Sequence, residues 1–284
     1  LQRTKAARMF ISSLVQNDKM MLRSCLLLSL LATASALAPP SKVVVFGGTG
    51  YVGSQVCERL VQKGYQVTGV SRRGTNPRPG TALDQVDWVC GDALKKTDVQ
   101  KFVSQNDAVV HAVGLLFDVE SGLQGLNTIV SGSKSQPGDE STYDNITRQT
   151  MFNILDAIEK PMFKKGKTPL AFVSCAEAGW PDVSGGAFVE EKLAPDWLKK
   201  YLVAKRAVED RLMKSTAVRP VVVRPSLIWS WDKLDVLPII PVFNIASAVG
   251  VPFVDKTVRV ETLADAIVAG LEDESVSGVQ RYRN

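Results

Sequence analysis

Short apolar runs alternate with segments of helical periodicity along the chain from Lys42 onward. The apolar runs predict strands at Lys42–Phe46, Gln66–Ser71, Val86–Cys90, Ala108–Val113, Leu170–Ser174 and Pro220–Arg224. The periodic segments predict helices at about Val52–Lys63, Thr97–Ser104, Asp144–Glu159, Trp197–Lys214 and Leu263–Glu272. Because the strands are apolar at nearly every position, both faces of the sheet should be covered. The pattern therefore predicts an α/β fold with a parallel sheet.

Two segments interrupt this alternation. Residues 115–142 are rich in glycine and serine, and we expect a long loop at the carboxyl edge of the sheet, where ligands bind in such folds. Residues 236–254 carry no charge, but three prolines argue against a membrane-spanning helix. The segment predicts a buried helix and turn within a small substrate lobe, and that lobe would extend over roughly 226–262. The alternative is that the segment forms an apolar pocket or a lipid-facing lid.

Most of the net charge of +5 lies in residues 1–36. That segment holds five basic residues and one acidic residue, so the remainder of the chain is nearly neutral. A nearly neutral body without a basic run attracts a phosphate backbone only weakly, and a nucleic-acid partner is not expected.

Residues 21–36 have the three parts of a secretory signal peptide. These parts are a positive region at Arg23, an apolar region at Cys25–Leu31 and a cleavage site at Ala34-Ser35-Ala36. The apolar stretch is too short to span a membrane as a helix. The run from Ala34 to Pro39 resembles the junction motif of proteins sent to complex plastids, with Leu37 where phenylalanine is usual.

The leader sets the expected boundaries. We expect a targeting leader over residues 1–40, a mature chain that begins near Leu37, and one folded domain over residues 41–284. Delivery to a plastid by a signal-peptide-led route is the first expectation. A mitochondrial presequence over residues 1–36 is the alternative, because the segment is basic and poor in acidic residues.

The strongest chemical signal is the spacing G-x-x-G-x-x-G between the first strand and the first helix. Gly47 permits a tight turn, Gly50 lets the backbone approach a pyrophosphate, and Gly53 lets helix and strand pack closely. The turn and the start of the helix are completed by Thr49, Tyr51 and Val52. Since a helix amino terminus attracts phosphate, the sequence predicts a dinucleotide site in a Rossmann-type doubly wound parallel sheet.

The end of the second strand indicates which dinucleotide binds. An acidic residue there would accept the ribose 2′-hydroxyl of NAD, but this chain has Ser71, Arg72 and Arg73. Arg72 can pair with a 2′-phosphate and stack on adenine, so NADP(H) is favoured and NAD(H) is the alternative. Both arginines could also be solvated loop charges. Asp92, after the third strand, is placed to meet the adenine edge.

Cysteine and histidine give little support for metal chemistry. The four cysteines show no CxxC spacing, and Cys25 belongs to the predicted leader, so neither a disulfide framework nor a metal site is expected. The chain has one histidine, His111, and its position inside an apolar strand indicates a structural role.

Tyr201 and Lys205 have the spacing Y-x-x-x-K, which puts both side chains on one face of a helix. The spacing arises easily by chance, but this pair follows the fifth strand and precedes Arg224-Pro225. With the glycine loop, Asp92, the V-V-H-A-x-G strand end and Tyr143-Asp144-Asn145, this order resembles the atypical and extended short-chain dehydrogenases, which are epimerase/dehydratase-like. Gly64–Gly74 and His111–Leu116 further resemble dehydrogenase-like proteins associated with coenzyme Q synthesis and their plant plastid relatives. The chain also resembles, more distantly, an accessory NAD(P)H-binding subunit of respiratory complex I.

The resemblance implies roles for particular residues. Tyr201 would be the general acid or base, acidified by Lys205, and Lys205 would also hold the nicotinamide ribose. Further cofactor contacts would come from Ala112, Val113, Gly114 and Pro225. A hydroxyl usually stands just past the fifth strand, where this chain has Cys175 and Ala176, so Ser174 would have to act from a shifted position.

Two functions therefore stay open. One is an NADP(H)-dependent oxidoreductase acting on a small apolar substrate or quinone intermediate. The other is a non-catalytic nucleotide-binding protein in a membrane-associated complex of quinone synthesis or electron transport. Both need Gly47, Gly50, Gly53 and Arg72, but only the first needs Tyr201.

Overall fold

The computed structural model describes residues 42–127, 138–160, 166–231 and 240–281. Its strands are β1 (Lys42–Phe46), β2 (Gln66–Ser71), β3 (Asp87–Cys90), β4 (Ala108–His111), β5 (Thr168–Val173), β6 (Val218–Arg224), β7 (Ile228–Trp229), β8 (Val258–Arg259) and β9 (Gly278–Arg281). Its longer helices are α1 (Tyr51–Gln62), α2 (Lys96–Ser104), α3 (Thr150–Glu159), α4 (Asp196–Lys214), α5 (Ile240–Ala248) and α6 (Val260–Glu272). The predicted leader lies outside the described residues.

Shorter helical turns connect these elements. The 3₁₀ turns are Ala82–Gln85, Val119–Ser121, Gln124–Leu126 and Ala176–Asp182, and a single α-helical turn lies at Gly186–Phe188. Two π-helical segments lie at Asp144–Gln149 and Val189–Leu193. The predicted helix over Asp144–Glu159 is therefore a π-helical turn that continues into α3.

Seven of the described strands form a parallel sheet in the order β3-β2-β1-β4-β5-β6-β9. Val43 of β1 lies beside Val67 of β2 on one side and Ala108 of β4 on the other. The strand order reverses between β1 and β4, and ligands bind at such a switch point in doubly wound sheets. The predicted Rossmann-type fold is confirmed.

The two faces of the sheet are covered by different helices. Val43 and Val45 of β1 face a buried cluster that includes residues of α1 and α6. Val44 and Phe46 face the opposite cluster, which includes residues of α2, α3 and α4. Because adjacent strand residues point to opposite faces, a strand covered on both sides must be apolar throughout.

The predicted bounds of β1 and β2 are confirmed, whereas β4 is shorter than predicted. β4 ends at His111 because the residues after it leave the sheet and line a cavity. The short strands β7, β8 and β9 were not predicted. Among the described strands, β9 (Gly278–Arg281) pairs with β6 alone, and one of its four residues is buried. Because so little of β9 is buried, its sequence needs no apolar run and gives no strand signal.

Within residues 236–254 the structure describes α5, and none of its residues is fully buried. The expectation of a buried helix is therefore wrong. β7 and β8 pair in a separate two-stranded parallel sheet, with Trp229 opposite Arg259. In the part of the chain that the structure describes, no helix is both long enough and apolar enough to cross a membrane.

Candidate nucleotide-binding and catalytic site

The glycine turn after β1 is tight enough to require glycine at two positions. Gly47 has a φ of +81°, and a Cβ there would lie 2.7 Å from the Ala112 carbonyl oxygen. A Cβ on Gly53 would lie 2.2 Å from the Gly47 carbonyl oxygen. The amides of Gly47 and Gly48 both donate to the Val70 carbonyl, at 2.9 and 3.2 Å, which fixes the turn against β2. This close packing leaves a backbone-lined cradle at the carboxyl end of β1.

The amino terminus of α1 opens directly from this cradle. Gly50 is the N-cap residue, no side chain caps the helix, and its first turn has no acidic residue. The first amides of a helix lack intrahelical partners and carry partial positive charge, which favours an anion at this position. The cradle and the helix terminus therefore suit the pyrophosphate of a dinucleotide.

A cavity of about 690 Å³ lies along the carboxyl edge of the sheet. Ten of the predicted cofactor residues line it, namely Gly47, Thr49, Gly50, Ser71, Arg72, Arg73, Asp92, Ala112, Val113 and Gly114. The cavity is also lined by residues that the sequence did not predict as cofactor contacts, among them Ala93, Leu94, Leu115, Asn127, Ile146 and Thr150.

The remaining predicted residues do not line the cavity. Three of them begin α1 behind the cradle, namely Tyr51, Val52 and Gly53. The others are Tyr201, Lys205 and Pro225.

The turn after β2 holds two arginines at the rim of the cavity. The Ser71 hydroxyl oxygen accepts a hydrogen bond from the Gly74 amide at 3.0 Å, and the Cys90 thiol donates to the Arg72 carbonyl at 3.1 Å. Gly74 has a φ of +61°, and a Cβ there would lie 2.4 Å from the Cys90 amide nitrogen. These contacts fix the backbone that carries Arg72 and Arg73, which are both exposed.

Asp92 lines the same cavity near the start of α2. Its carboxylate accepts a hydrogen bond from the Leu94 amide at 2.9 Å, and its own amide donates to Asp98 at 3.0 Å. The side chain is only partly buried, so a carboxylate oxygen stays available at the cavity wall. Two exposed carboxylates, Asp139 and Glu140, line the cavity as well.

Tyr201 and Lys205 lie on one face of α4, as their spacing predicts. The Lys205 ammonium nitrogen is 5.3 Å from the centre of the Tyr201 ring and 4.9 Å from that of Phe172. The ammonium donates to the Val173 carbonyl at 2.7 Å, and Lys205 is 3% exposed. Burial lowers the pKa of Lys205 to about 8, so the ammonium form still predominates at neutral pH.

The Tyr201 phenol is not acidified in the way that the family resemblance implies. Burial raises its pKa well above the usual value, and the neighbouring Cys175, Glu177 and Tyr143 raise it further. The Tyr143 ring lies edge-on at 5.4 Å, and its hydroxyl donates to the Leu116 carbonyl at 2.7 Å. At neutral pH the Tyr201 phenol is therefore protonated, which suits a proton donor rather than a base.

Cys175, rather than Ser174, lies beside Tyr201, which packs against the small buried cluster that contains Cys175. The two nearby groups Cys175 and Glu177 both raise the pKa of the Tyr201 phenol. Burial raises the pKa of the Cys175 thiol, so the thiol is protonated and unreactive. A thiol is a weaker hydrogen-bond donor than a hydroxyl, so this group polarises a substrate oxygen less well than serine would.

The Ser174 hydroxyl belongs to a buried polar network instead. It donates to Glu209 at 2.5 Å, and Glu209 also accepts two hydrogen bonds from the Arg224 guanidinium, at 3.1 and 2.5 Å. Ser174 and Glu209 are both buried. The geometry therefore gives Ser174 a structural contact and does not support the predicted catalytic one. Pro225 follows this network, and its carbonyl accepts from the Ala176 amide at 2.8 Å.

The loop after β4 packs over the Tyr201 end of α4. Phe117 is buried against Trp197, with ring centres 4.9 Å apart, and Glu120 pairs with Lys200 at 2.8 Å. The predicted loop over residues 115–142 is confirmed for its described parts, 115–127 and 138–142, apart from two short 3₁₀ turns. Its aromatic contacts make the surroundings of Tyr201 apolar.

His111 is fully buried at the end of β4, as its sequence position predicts. Its Nε2 lies 2.8 Å from the Thr150 hydroxyl oxygen, which in turn lies 2.7 Å from the Ile146 carbonyl oxygen. Burial, and then the Lys205 charge, lower the pKa of His111 to about 3. His111 is therefore uncharged at physiological pH.

The cysteines in the described residues are free thiols, with Cys57 and Cys175 buried and Cys90 exposed. Within the same residues, no group of three or more His, Cys, Asp and Glu side chains is placed to hold a metal ion.

The fold and the glycine cradle agree with comparisons against known proteins. Residues 43–230 match the NAD dependent epimerase/dehydratase family, and this chain belongs to that family. The match includes the glycine turn, the arginine rim, and Tyr201 with Lys205.

Two curated relatives resemble the chain more specifically. MIOREX complex component 2 of Saccharomyces cerevisiae is 26% identical over 216 residues, which cover 66% of this chain and 73% of that protein. The Arabidopsis thaliana protein At1g32220, designated chloroplastic, is 47% identical over 53 residues, which cover 19% of this chain and 18% of that protein. The predicted resemblance to a plant plastid protein is confirmed over this short segment.

Solved structures share the fold. WbmH of Bordetella bronchiseptica, solved in complex with NAD⁺, superposes with a TM-score of 0.51 and 19% sequence identity, covering 85% of this chain and 75% of WbmH.

Proposed function

We propose that this protein is an NADP(H)-dependent oxidoreductase that acts on an apolar, quinone-related substrate. The observation that carries the proposal is the cavity that joins the uncapped amino terminus of α1 to the arginine rim of β2. A 2′-phosphate at that rim would meet Arg72 and Arg73, and the carboxylate that reads a 2′-hydroxyl is replaced there by Ser71. NAD(H) is the alternative cofactor.

The residues present fit a nicotinamide dinucleotide. A Cβ at Gly47 would collide with the Ala112 backbone and one at Gly53 with the Gly47 carbonyl, so glycine at both positions is needed for the tight turn that forms the cradle. The bound dinucleotide would supply the hydride. Tyr201 would hold the proton at its phenol oxygen and donate it to the substrate, and Lys205 would hold the nicotinamide ribose.

The surroundings of Tyr201 support an apolar substrate. Tyr143 and Phe117 are buried near Tyr201, Trp197 is partly buried against Phe117, and Cys175 takes the place of a more polar hydroxyl. Such apolar surroundings suit a flat carbonyl compound such as a quinone, whose oxygen would accept the Tyr201 proton. The quinone assignment also draws on the resemblance to proteins of coenzyme Q synthesis.

A non-catalytic role in an assembly is the second candidate. The weak donor at Cys175, the Ser174 contact with Glu209 and the Lys205 contact with Val173 all favour it. The yeast relative is by name a component of a complex, which supports a complex-associated role. On this hypothesis the protein would bind NADP(H) without turnover, within a membrane-associated complex. The chloroplastic designation of the plant relative supports a plastid location, and a mitochondrion is the alternative.

The nucleotide assignment is tested by changing one arginine. We expect Arg72→Ala to weaken NADPH binding by about 1.5 to 3 kcal/mol, or roughly ten- to a hundredfold, because a charge-assisted contact to the 2′-phosphate is lost. NADH binding should change little. Calorimetric titration of both nucleotides at one salt concentration measures this, with Arg259→Ala as the control for loss of an exposed arginine elsewhere. Equal affinity of the unaltered protein for NADPH and NADH would refute the proposal.

A second substitution separates the two candidate functions. We expect Cys175→Ser to raise the rate of NADPH oxidation with short-chain quinones about tenfold, because a hydroxyl polarises the substrate oxygen better than a thiol. Single-turnover absorbance at the nicotinamide band measures the rate. Ala176→Ser is the matched control, since Ala176 is also buried but is not a member of the cluster that packs Cys175 against Tyr201. If neither the unaltered protein nor Cys175→Ser oxidises NADPH with any quinone while both bind it, the non-catalytic role is supported.

A further inference from the structure

Asn153 of α3 is a buried polar residue that the proposed reaction does not use. It is 2% exposed and is not among the residues that line the nucleotide cavity. Its amide nitrogen donates to the Ala93 carbonyl and to the Leu94 carbonyl, at 3.0 Å in each case. Both of these carbonyls belong to residues that do line the cavity. Asn153 therefore holds a wall of the cavity from behind.

The orientation of the Asn153 amide is determined by its partners. A carbonyl oxygen only accepts hydrogen bonds, so the two carbonyls require the amide nitrogen on their side. The amide oxygen, on the other side, accepts a hydrogen bond from the Gln149 side-chain nitrogen at 3.0 Å. An oxygen in place of the nitrogen would set an acceptor against two acceptors, and the contact with the wall would be lost.

The wall that Asn153 holds is the turn between β3 and α2. Within this turn, the Leu94 amide donates to the Asp92 carboxylate and the Lys95 amide donates to the Asp92 carbonyl, both at 2.9 Å. These bonds are local and shape the turn itself. The two bonds from Asn153 join the turn to α3, so they determine where the turn lies relative to the rest of the cavity.

The order of the strands indicates which part of a dinucleotide meets this turn. The cradle at the end of β1 suits the pyrophosphate, the arginine rim at the end of β2 suits the 2′-phosphate of the adenosine ribose, and β3 is the next strand outward. The adenine is attached to that ribose and extends away from the pyrophosphate, which brings it to the turn after β3. The nicotinamide half extends the other way, past β4.

We propose that Asn153 is a positioning residue for the adenine of NADP(H), which fixes the Ala93–Leu94 backbone against which the base packs. This inference rests on the proposed function, since it requires the dinucleotide to bind in the cavity. It concerns the adenosine half of the cofactor alone. Loss of the Asn153 contacts should therefore weaken NADPH and its adenosine fragment by the same factor, which a contribution to stability alone would not do.

Calorimetric titration of the full chain with NADPH and with 2′,5′-ADP, the adenosine fragment of NADPH, tests this assignment. We expect Asn153→Asp to weaken both ligands about tenfold, because an acceptor then faces the two carbonyls and displaces the turn. Asn106→Asp is the matched control. Asn106 is also buried, its amide nitrogen donates to the Phe102 carbonyl at 2.8 Å, and it does not line the nucleotide cavity. Its replacement should leave both affinities within about twofold of the original.

A milder variant covers the case in which a buried carboxyl group prevents folding, which thermal unfolding reveals. Gln149→Leu removes the donor that orients the Asn153 amide, and it should weaken both ligands about threefold.

The proposal is overturned if the folded variant binds 2′,5′-ADP as tightly as the unaltered protein does. It is also overturned if NADPH binding falls while 2′,5′-ADP binding does not, since the effect would then lie in the nicotinamide half. If the unaltered protein binds neither ligand, the proposed NADP(H) function fails together with this inference, and that outcome is distinct from the other two.

Discussion

Replacing Tyr201 by phenylalanine is expected to lower the rate of NADPH oxidation by about a thousandfold, while NADPH affinity stays within about twofold of the original. In the proposed reaction the phenol gives a proton to the substrate oxygen, and Tyr201 packs against Cys175 and Tyr143 and does not line the nucleotide cavity. Its removal therefore acts on the transition state and spares ground-state cofactor binding. Single-turnover rates and nucleotide titrations on the same preparations measure the two effects separately.

Tyr65→Phe is the matched control, because the Tyr65 hydroxyl bonds Glu272 and lies outside the nucleotide cavity. The pH profile provides a further check. Burial lowers the pKa of Lys205 to about 8, so its ammonium form is lost as the pH rises through that value. Tyr201 stays protonated over the same range, and the rate should fall above about pH 8 because the ribose contact of Lys205 weakens. Unchanged turnover in Tyr201→Phe would show that the catalytic assignment is wrong.

Removal of the Glu209 carboxylate is expected to lower the free energy of unfolding by about 3 kcal/mol or more. Glu209 accepts hydrogen bonds from Ser174 and from Arg224, and the Arg224 side chain is 13% exposed. Glu209→Ala would leave a buried guanidinium and a buried hydroxyl without this partner. The 3.6 Å contact between Arg224 and Asp182 would compensate only in part, because Asp182 is largely exposed.

Urea unfolding of Glu209→Ala and the unaltered protein measures this loss as a shift in the midpoint at constant slope. Glu120→Ala is the control. Glu120 pairs with Lys200 at 2.8 Å on the surface, where about half of each side chain is exposed, and its loss should cost less than about 1 kcal/mol. A Glu209→Ala protein as stable as the Glu120→Ala protein would contradict the structural role assigned to this network.

The dinucleotide end of the site could be predicted because its signals are local. The glycine spacing, the strand before it and the helix after it are adjacent in sequence, and so are Ser71 and Arg72 at the end of β2. The cavity also includes Asn127 and Thr150, which sequence reasoning missed. These residues enter through the loop after β4 and the start of α3, and no local pattern fixes where either lies relative to the cradle.

The catalytic end could be predicted only in part. Tyr201 and Lys205 share a helix, so their spacing determines their common face. Ser174 and Cys175 are adjacent at the end of β5, and which of them meets Tyr201 depends on how α4 packs against that strand. Packing places Cys175 beside Tyr201 and turns Ser174 to Glu209.

The helix α5 shows a different limit. Its apolar composition predicts burial, but Val242 and Ile245 are exposed, and Asn244 on the opposite face accepts a hydrogen bond from the Thr257 amide. Composition alone cannot distinguish an apolar face packed in the core from one that stays exposed.

A crystal structure of the protein grown with NADPH tests the central claim most directly. The account predicts the pyrophosphate at the amino terminus of α1, against Gly47 and Gly50, and the 2′-phosphate within hydrogen-bond distance of the Arg72 guanidinium. Crystals that hold the nucleotide elsewhere, or in the cavity with its 2′-phosphate turned away from Arg72 and Arg73, would contradict it.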